Sequence, residues 1–275
     1  MRLAIIMCSF NRKEYTKRCI SKLIQSSEQI ANCKYTIYVC DDASTDGTGE
    51  MIAKLFPKTV LIESPGNLYW CKSMYRAMKR AQSEGYDYYL MVNDDVDFAD
   101  NVVEIMLQSY ESAGTICGIV GNTKAVNGEE CTYGGRDKEE KLIIPNGEIQ
   151  KAIWANWNCF LVSNRVLEKI GIIDGKYQHA WGDFDYSYRM YKANIPLYIA
   201  GDYIGRCDIN SKKGTYSDPE VPKKLRLKKL FSPKGMPFYS YMRYHIMRYG
   251  RKGIVTYLRG YLSIIYYILM GREVG

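Results

Sequence analysis

The amino-acid sequence predicts an α/β protein with a mostly parallel sheet and flanking helices, and three observations support this class. Short apolar runs alternate with helical patterns of about ten to fifteen residues, as in βαβ units. A polar cluster directly follows each of the first four apolar runs. Two of these clusters contain the aspartate pairs Asp41-Asp42 and Asp94-Asp95. Because open parallel sheets bind ligands beyond the carboxyl ends of their strands, we expect a binding site at that edge.

The first 97 residues have the clearest periodicity. The predicted strands are 2–8, 35–40, 59–63 and 88–92. The predicted helices are 14–27, 48–56 and 69–84. Four strand ends then share one edge of the sheet. We assign residues 1–97 to a nucleotide-binding half.

Residues 98–218 continue with a less regular pattern, and we assign them to a second half. Helices are predicted at 101–113, 164–170 and 184–193, and strands at 116–121 and 196–200. The stretch 122–150 is polar and rich in glycine, and 154–162 is aromatic and apolar. The remaining residues, 219–275, form a basic helical tail.

Composition restricts the class of protein further. The 275 residues are 47% hydrophobic and 25% charged, which argues against disorder and is enough for one large domain or two fused halves. Nine cysteines without a C-x-x-C pair indicate reduced thiols and a cytoplasmic protein. Only two histidines are present, so a zinc site is not expected. The N-terminal apolar run is too short for a secretory signal.

The net charge of +8 is concentrated in the tail. Residues 219–275 hold twelve Lys and Arg against two Glu, a local charge of +10, whereas residues 1–218 hold 26 basic and 28 acidic groups. The apolar run 261–270 is too short to span a bilayer, which needs about 20 residues. We expect either peripheral binding to an anionic membrane surface, or helices that pack on the catalytic part or on a second copy in a homodimer. Nucleic-acid binding is not expected, because no recognised module accompanies the charge.

The aspartate pairs indicate chemistry with phosphates. Carboxylates clustered at a strand end repel one another, and a divalent cation that holds a phosphate offsets the repulsion. We therefore expect Mg²⁺ or Mn²⁺ at Asp94 and Asp95. The alternative is that the pair only caps the helix near Asp100. Asp42 is expected to contact a nucleobase or ribose next to the Phe10 ring, or else only to cap a helix. No G-x-G-x-x-G or P-loop motif is present, so dinucleotide-binding and P-loop ATPase folds are disfavoured.

Four motifs, taken in order, resemble the family 2 glycosyltransferases, which are inverting nucleotide-sugar enzymes of the Rossmann-type GT-A fold. The motifs are Cys8-Ser9-Phe10-Asn11-Arg12, Asp41-Asp42-Ala43-Ser44-Thr45-Asp46-Gly47-Thr48, Asn93-Asp94-Asp95 and Trp181-Gly182-Asp183-Phe184-Asp185. Two further segments, 66–70 and 232–235, resemble the bacterial branch that builds surface polysaccharides. The resemblance covers about residues 1–250 and implies a UDP- or dTDP-sugar donor and a glycan or lipid-linked acceptor. It also implies that residues 98–218 are the acceptor-binding and catalytic half.

Site residues follow from the same resemblance. It implies that Asp183 is the catalytic base, with an N-terminal helix position as the alternative role. Residues implied to bind the donor nucleotide are Cys8, Phe10, Arg12, Asp42, Asn67, Trp70, Lys72, Asn93 and Asp94. Metal ligands are Asp94 and Asp95, with Asp208 as a further candidate. Acceptor contacts are Trp157, Asn158, Trp181 and Asp185, the last also supporting the helix start together with Arg189.

Three departures from the family pattern are visible. Gly182 stands where the family commonly has a second acid. Lys72 and Ser73 occupy a helix start where related chains often have small residues, and Lys72 either reaches the donor phosphates or only faces water. The region 204–208 lacks the late histidine that ligates the metal in many members, so Asp208 is the candidate for that position. A non-catalytic nucleotide-sugar or polysaccharide-binding protein of the same fold is the main rival function, and a metal-dependent nucleotidyltransferase is the second.

Overall fold

The computed structural model describes residues 1–274, which fold around one large mixed sheet. Its strands are β1 (Arg2–Ser9), β2 (Lys34–Asp41), β3 (Val60–Glu63), β4 (Tyr88–Val92), β5 (Asp97–Phe98), β6 (Gly118–Lys124), β7 (Cys131–Tyr133), β8 (Gly135–Arg136), β9 (Gln150–Ala152), β10 (Trp154–Ala155), β11 (Cys159–Ser163) and β12 (Leu197–Arg206). Its helices are α1 (Lys13–Glu28), α2 (Thr48–Leu55), α3 (Tyr69–Gln82), α4 (Val102–Ser112), α5 (Asn164–Ile170), α6 (Gly182–Lys192), α7 (Lys223–Leu230), α8 (Phe238–Tyr249) and α9 (Gly253–Leu269), with a 3₁₀ turn at Gly250–Lys252.

The sheet confirms the predicted α/β class. Its order is β3-β2-β1-β4-β11-β6-β12-β5, and β3, β2, β1 and β4 pair in parallel. β11 enters antiparallel between β4 and β6, so the second half of the sheet is mixed. The sheet runs without a break through the predicted boundary at residues 97 and 98.

Two hydrophobic cores cover the two faces of the sheet. One face packs on apolar residues of α3, α5 and α6, and the other on α1, α2 and α4. The strands are buried on both faces, which explains why they read as continuous apolar runs rather than alternating ones. This three-layer arrangement leaves the carboxyl ends of β1, β2 and β4 as the open edge.

One predicted strand is longer in the structure. The predicted strand 196–200 extends to Arg206, because an irregular register after Ile199 lets the strand continue through Gly201 and Asp202, which interrupt the apolar pattern. The aromatic and apolar stretch 154–162, for which no element was predicted, contains β10 and the start of β11. β11 lies in the large sheet, and β10 pairs with β8 in a separate two-stranded sheet.

The tail folds into a helical extension with a small core of its own. Leu230, Tyr257, Tyr261 and Ile268 are buried there with Met236 and Tyr241. α8 packs against α6, where Tyr244 stacks on Trp181 with ring centroids 4.9 Å apart. Among residues 1–274, no helix is both long enough and apolar enough to cross a membrane.

Candidate active site

A cavity of about 1,010 Å³ lies at the carboxyl ends of the parallel strands. The parallel register places Ser9 opposite Asp41, and Asp41 opposite Glu63. These three strands therefore end side by side, and the loops that follow them begin at the same edge of the sheet. As predicted from the strand pattern, the loops after β1, β2, β3 and β4 converge there. Segments 156–158 and 179–184 form the facing wall, and segments 210–216 and 229–235 close one side.

Asp42 lines the cavity and also fixes the loop between β3 and α3. Its carboxylate accepts hydrogen bonds from Ser64 Oγ (2.6 Å) and from the backbone N–H groups of Leu68 (3.0 Å) and Tyr69 (2.9 Å). The last two bonds cap the start of α3. The helix cap that the sequence left open for Asp42 is therefore present, and its contact with a nucleobase or ribose stays a prediction.

Arg12 forms ion pairs with both carboxylates of the second aspartate pair. Its Nη1 lies 3.1 Å from Asp94 Oδ1 and 2.7 Å from Asp95 Oδ2. Asp94 is only 4% exposed, and burial raises the pKa of its carboxyl while Arg12 opposes that rise. Thr16 donates to the other oxygen of Asp94 at 2.9 Å. The repulsion between the two carboxylates is thus offset within the chain itself.

One carboxylate oxygen of this pair remains available. Asp95 Oδ1 is buried without a hydrogen-bond partner in the described chain. No group of three or more His, Cys, Asp or Glu in residues 1–274 is arranged to hold a metal ion. This donor set fits Mg²⁺, which commonly binds one or two carboxylates and completes its shell with phosphate oxygens and water.

Asp183 lies in the first turn of α6 and lines the cavity. Its Oδ1 accepts the N–H of Phe184 at 2.9 Å. Burial raises the pKa of Asp183 to about 6, although hydrogen bonds from the backbone of Phe184 and Trp157 lower it in part. Trp181, which precedes the helix, has φ +79°, a left-handed conformation that costs a non-glycine residue energy.

Gly182 has a steric reason to be a glycine. A Cβ at this position would overlap Cys71 Sγ and approach Ile173 Cδ1 to 3.1 Å. Cys71 is fully buried in α3, so it cannot swing aside. The second acid expected from the family pattern therefore has no room beside Asp183.

Aromatic residues form the wall opposite the strand ends. Trp157 is 1% exposed and stacks on Phe160 with centroids 4.8 Å apart, while its Nε1 has no hydrogen-bond partner in the described chain. The backbone carbonyl of the neighbouring Asn158 accepts the N–H of Asn93 at 3.1 Å, and Asn93 Oδ1 accepts from Trp70 Nε1 at 2.7 Å. These hydrogen bonds join the aromatic wall to the strand ends.

The sequence model of glycosyl transferase family 2 matches residues 4–171, more than half of the chain. The chain belongs to this family. The match includes both aspartate pairs and ends before Asp183 and the tail. Comparison with curated proteins finds no match.

Solved structures with the same fold include the S. aureus protein TarS. TarS residues 1–349 in complex with UDP is 13% identical with a TM-score of 0.57, covering 90% of this chain and 71% of that chain. The same TarS fragment without the ligand gives a TM-score of 0.58 at 13% identity, with 98% and 81% covered. The longer TarS chain gives 0.59 at 13% identity, with 98% and 53% covered. These similarities support the GT-A-like fold of this glycosyltransferase.

Most of the site residues expected from the sequence of this family 2 glycosyltransferase lie at the cavity. Those that line it are Cys8, Phe10, Arg12, Asp42, Asn67, Trp70, Asn93, Asp94, Asp95, Trp157, Asn158, Trp181 and Asp183. Cys8 stays a neutral thiol at pH 7, because burial raises its pKa well above the usual range.

Three expected residues do not line the cavity. Lys72 lies on α3 outside it. Asp185 is buried, and its carboxylate binds Arg189 Nε at 2.8 Å and Tyr177 at 3.2 Å, so it supports the helix start as expected but has no contact surface for an acceptor. Asp208 is exposed, and its carboxylate accepts the N–H of Val126 at 2.8 Å.

Several lining residues of the glycosyltransferase were not expected from the sequence. His179 lies in the facing wall, and its buried Nδ1 has no hydrogen-bond partner among residues 1–274. Burial lowers the pKa of His179 to about 4, so it is neutral at pH 7. Its place two residues before Trp181 was an available signal. Lys229 and Lys234 reach the cavity from the tail, and only the resemblance of segment 232–235 pointed to that region.

Proposed function

We propose that this glycosyltransferase is an inverting enzyme that moves a sugar from a UDP- or dTDP-sugar to a hydroxyl of a glycan or lipid-linked acceptor in surface-polysaccharide synthesis. The observation that carries the proposal is Asp183. Its carboxylate lines the same cavity as the Asp94–Asp95 pair and has a pKa of about 6. A base with this pKa is mostly ionised at neutral pH and still accepts a proton readily.

The reaction is a single displacement. Asp183 takes the proton of the acceptor hydroxyl while that oxygen attacks the anomeric carbon of the donor. The bond from the anomeric carbon to the diphosphate oxygen breaks, and its electron pair leaves with the nucleoside diphosphate. Attack from the face opposite the leaving group inverts the configuration, and no covalent enzyme intermediate is needed.

The strand ends are proposed to hold the donor. Phe10 is exposed at the cavity and offers a ring face to the base, and Asp42 fixes the neighbouring loop. Asp94 and Asp95 would hold Mg²⁺ or Mn²⁺, for which Asp95 Oδ1 is the available oxygen. When bound, such an ion neutralises charge on the diphosphate. A uridine nucleotide is supported by the UDP complex of the structurally similar TarS.

The proposals for a lipid-linked acceptor and for a cytoplasmic location rest on the tail and on the cysteines. We propose that the tail binds an anionic membrane surface at its cytoplasmic face, where a lipid-linked acceptor is available. α9 presents exposed apolar side chains at intervals of four residues, at Ile254, Leu258, Leu262 and Tyr266, and only one charged residue, Arg259, lies within it. All nine cysteines are free, which fits a reducing compartment.

The Asp183→Asn variant tests the proposed catalytic role. Loss of the base is expected to lower kcat by about 10²- to 10⁴-fold, whereas the Kd for UDP stays within about twofold, because general-base catalysis has that magnitude and Asn keeps the shape. Transfer is measured as UDP release from UDP-sugars, and binding by calorimetry. The matched control is Asp202→Asn, which removes an exposed carboxylate outside the cavity.

The outcome separates the candidate functions. Full transfer activity in Asp183→Asn would exclude Asp183 as the base. Nucleotide binding by the wild type without any transfer, unchanged by the substitution, would instead support a binding protein of the same fold. Release of pyrophosphate rather than UDP would indicate a nucleotidyltransferase.

A further inference from the structure

The tail contributes a wall of the cavity that carries two lysines. Lys229 lies in the last turn of α7, and Lys234 lies in the loop between α7 and α8. Segments 210–216 and 229–235 add no carboxylate to the lining. Within residues 1–274, neither lysine forms an ion pair. Two ammonium groups without a counterion therefore face an open cavity.

The loop that carries the lysines, residues 229–235, is held in a fixed conformation. The N–H of Met236 donates to the carbonyl of Leu230 at 2.6 Å, and the N–H of Gly235 donates to Ser232 at 2.9 Å. Tyr261 donates its hydroxyl proton to the carbonyl of Met236. A Cβ at Gly235 would overlap the carbonyl oxygens of Lys229 and Leu230, so this tight turn needs glycine. A preorganised loop loses little entropy when it binds a ligand.

The other cation of the cavity is already neutralised. Arg12 binds both Asp94 and Asp95, so its charge is committed to the strand ends. Lys234, Arg12 and His179 all line this cavity. Burial lowers the pKa of His179, and the positive charges of Lys234 and Arg12 lower it further, so both cations act on the same part of the lining.

We infer that Lys229 and Lys234 form a phosphate-binding subsite that the tail adds to the cavity. This inference rests on the proposed transferase function and deepens it. Lysine ammonium groups bind phosphate as mobile point charges with three donors each. The phosphate comes either from the diphosphate of the donor, whose leaving charge the lysines would then stabilise, or from a phosphate group on the acceptor.

The test compares two double variants with equal loss of charge. Lys229→Gln/Lys234→Gln removes the cavity lysines, and Lys224→Gln/Lys228→Gln removes two lysines of the same α7 that do not line the cavity. Calorimetry measures the Kd of each protein for UDP and for uridine, and for inorganic phosphate on the UDP-saturated protein. A third variant, Lys229→Arg/Lys234→Arg, keeps the charge and is expected to bind like the wild type.

The two sources of phosphate give different results. For the donor source, the cavity variant binds UDP at least about tenfold more weakly, since a charged hydrogen bond has about that value, and uridine is unaffected. For the acceptor source, UDP affinity is unchanged and the affinity for inorganic phosphate falls by a similar factor.

Two results would overturn the subsite. One is that the cavity variant and its control both bind UDP and phosphate as tightly as the wild type, which leaves the proposed function standing. The other is an equal loss in both double variants, which would indicate the general charge of the tail. If the wild type binds neither UDP nor dTDP, the proposed function fails instead, and phosphate titration of the free protein still tests the lysines.

Discussion

At the scale of single residues, the four carboxylates of the cavity differ in their hydrogen-bond and ion-pair partners. Asp42 accepts three hydrogen bonds, and Asp94 binds both Arg12 and Thr16. Asp183 forms no ion pair within residues 1–274, and its hydrogen bonds include those from the backbone N–H groups of Phe184 and Trp157. Burial without a cation partner leaves its charged form less stabilised than that of a carboxylate paired with a cation, and the pKa of Asp183 rises to about 6. Asp183 is therefore suited to take up a proton.

The pH dependence of transfer should report this group. Because burial raises the pKa of Asp183 to about 6 and the base acts only when ionised, kcat/KM is expected to rise with pH and level off above about 6. Below that pH it should fall about tenfold per pH unit as the protonated fraction grows. Initial rates from pH 4.5 to 8 with a UDP-sugar measure this acidic part of the pH profile of kcat/KM. Rates that are flat across pH 5 to 7 would contradict the assignment.

At the scale of elements, the site depends on how α6 begins. The helix follows Trp181 in a left-handed conformation and continues through Gly182, which lies against Cys71 of α3. Trp181 is then held by stacking on Tyr244 of α8. α3, α6 and α8 together fix the orientation of Asp183.

The Gly182→Ala variant tests the contact between α6 and α3. The added methyl group overlaps Cys71 Sγ, so the free energy of unfolding is expected to fall by about 1–3 kcal/mol, the usual cost of overpacking. In a Cys71→Ala background the same substitution should cost clearly less, because the sulfur is gone. Urea unfolding of the four proteins of this cycle measures the difference. An equal cost in both backgrounds would show that the sulfur is not the obstacle.

At the scale of elements, the separation along the chain between packed residues decides which elements could be predicted from the sequence. The strands and helices of residues 1–97 were predictable because their periodicity is local, and the polar clusters after them, with Asp94 among them, follow the topology. β11 was not predictable as an antiparallel insertion, because its partner Val92 lies 67 residues before Cys159 and no local pattern encodes that pairing. Lys229 and Lys234 were missed for the same reason, since their approach to the cavity depends on packing between distant helices.

At the scale of the whole molecule, the tail combines its positive charge with an unpartnered apolar face. The inner face of α9 buries Tyr257, Tyr261 and Ile268 in the tail core. Its outer face leaves Leu258 and Leu262 exposed. A second copy docked on this face would bring together two tails of charge +10, whereas an anionic surface neutralises that charge. The charge balance favours a membrane over a homodimer.

Vesicle binding tests this preference. Leu262 is 68% exposed, and Leu262→Asp is expected to weaken binding to phosphatidylglycerol-containing vesicles by about tenfold or more, because burial of a leucine contributes about 1.5–3 kcal/mol. The control is Leu55→Asp, at a leucine that is 47% exposed on α2, outside the tail, and it should bind like the wild type. Co-sedimentation gives the partition coefficients. A full-length chain that ignores anionic vesicles, or that forms a dimer sensitive to Leu262→Asp, would exclude membrane docking.

The loop of residues 229–235 has one side on the cavity and the other on the outer surface of the tail. Lys229 and Lys234 line the cavity, while Phe231 is exposed and stacks on Tyr261, the residue directly before Leu262. A nucleotide on one side and a lipid surface on the other would contact the same seven residues, whose conformation is already fixed before either ligand binds. Thermodynamic linkage requires any change that one ligand makes in the affinity for the other to be reciprocal. Because the loop needs no ordering, we expect a membrane surface to bring the cavity to a lipid-linked acceptor without a change in the affinity for the donor.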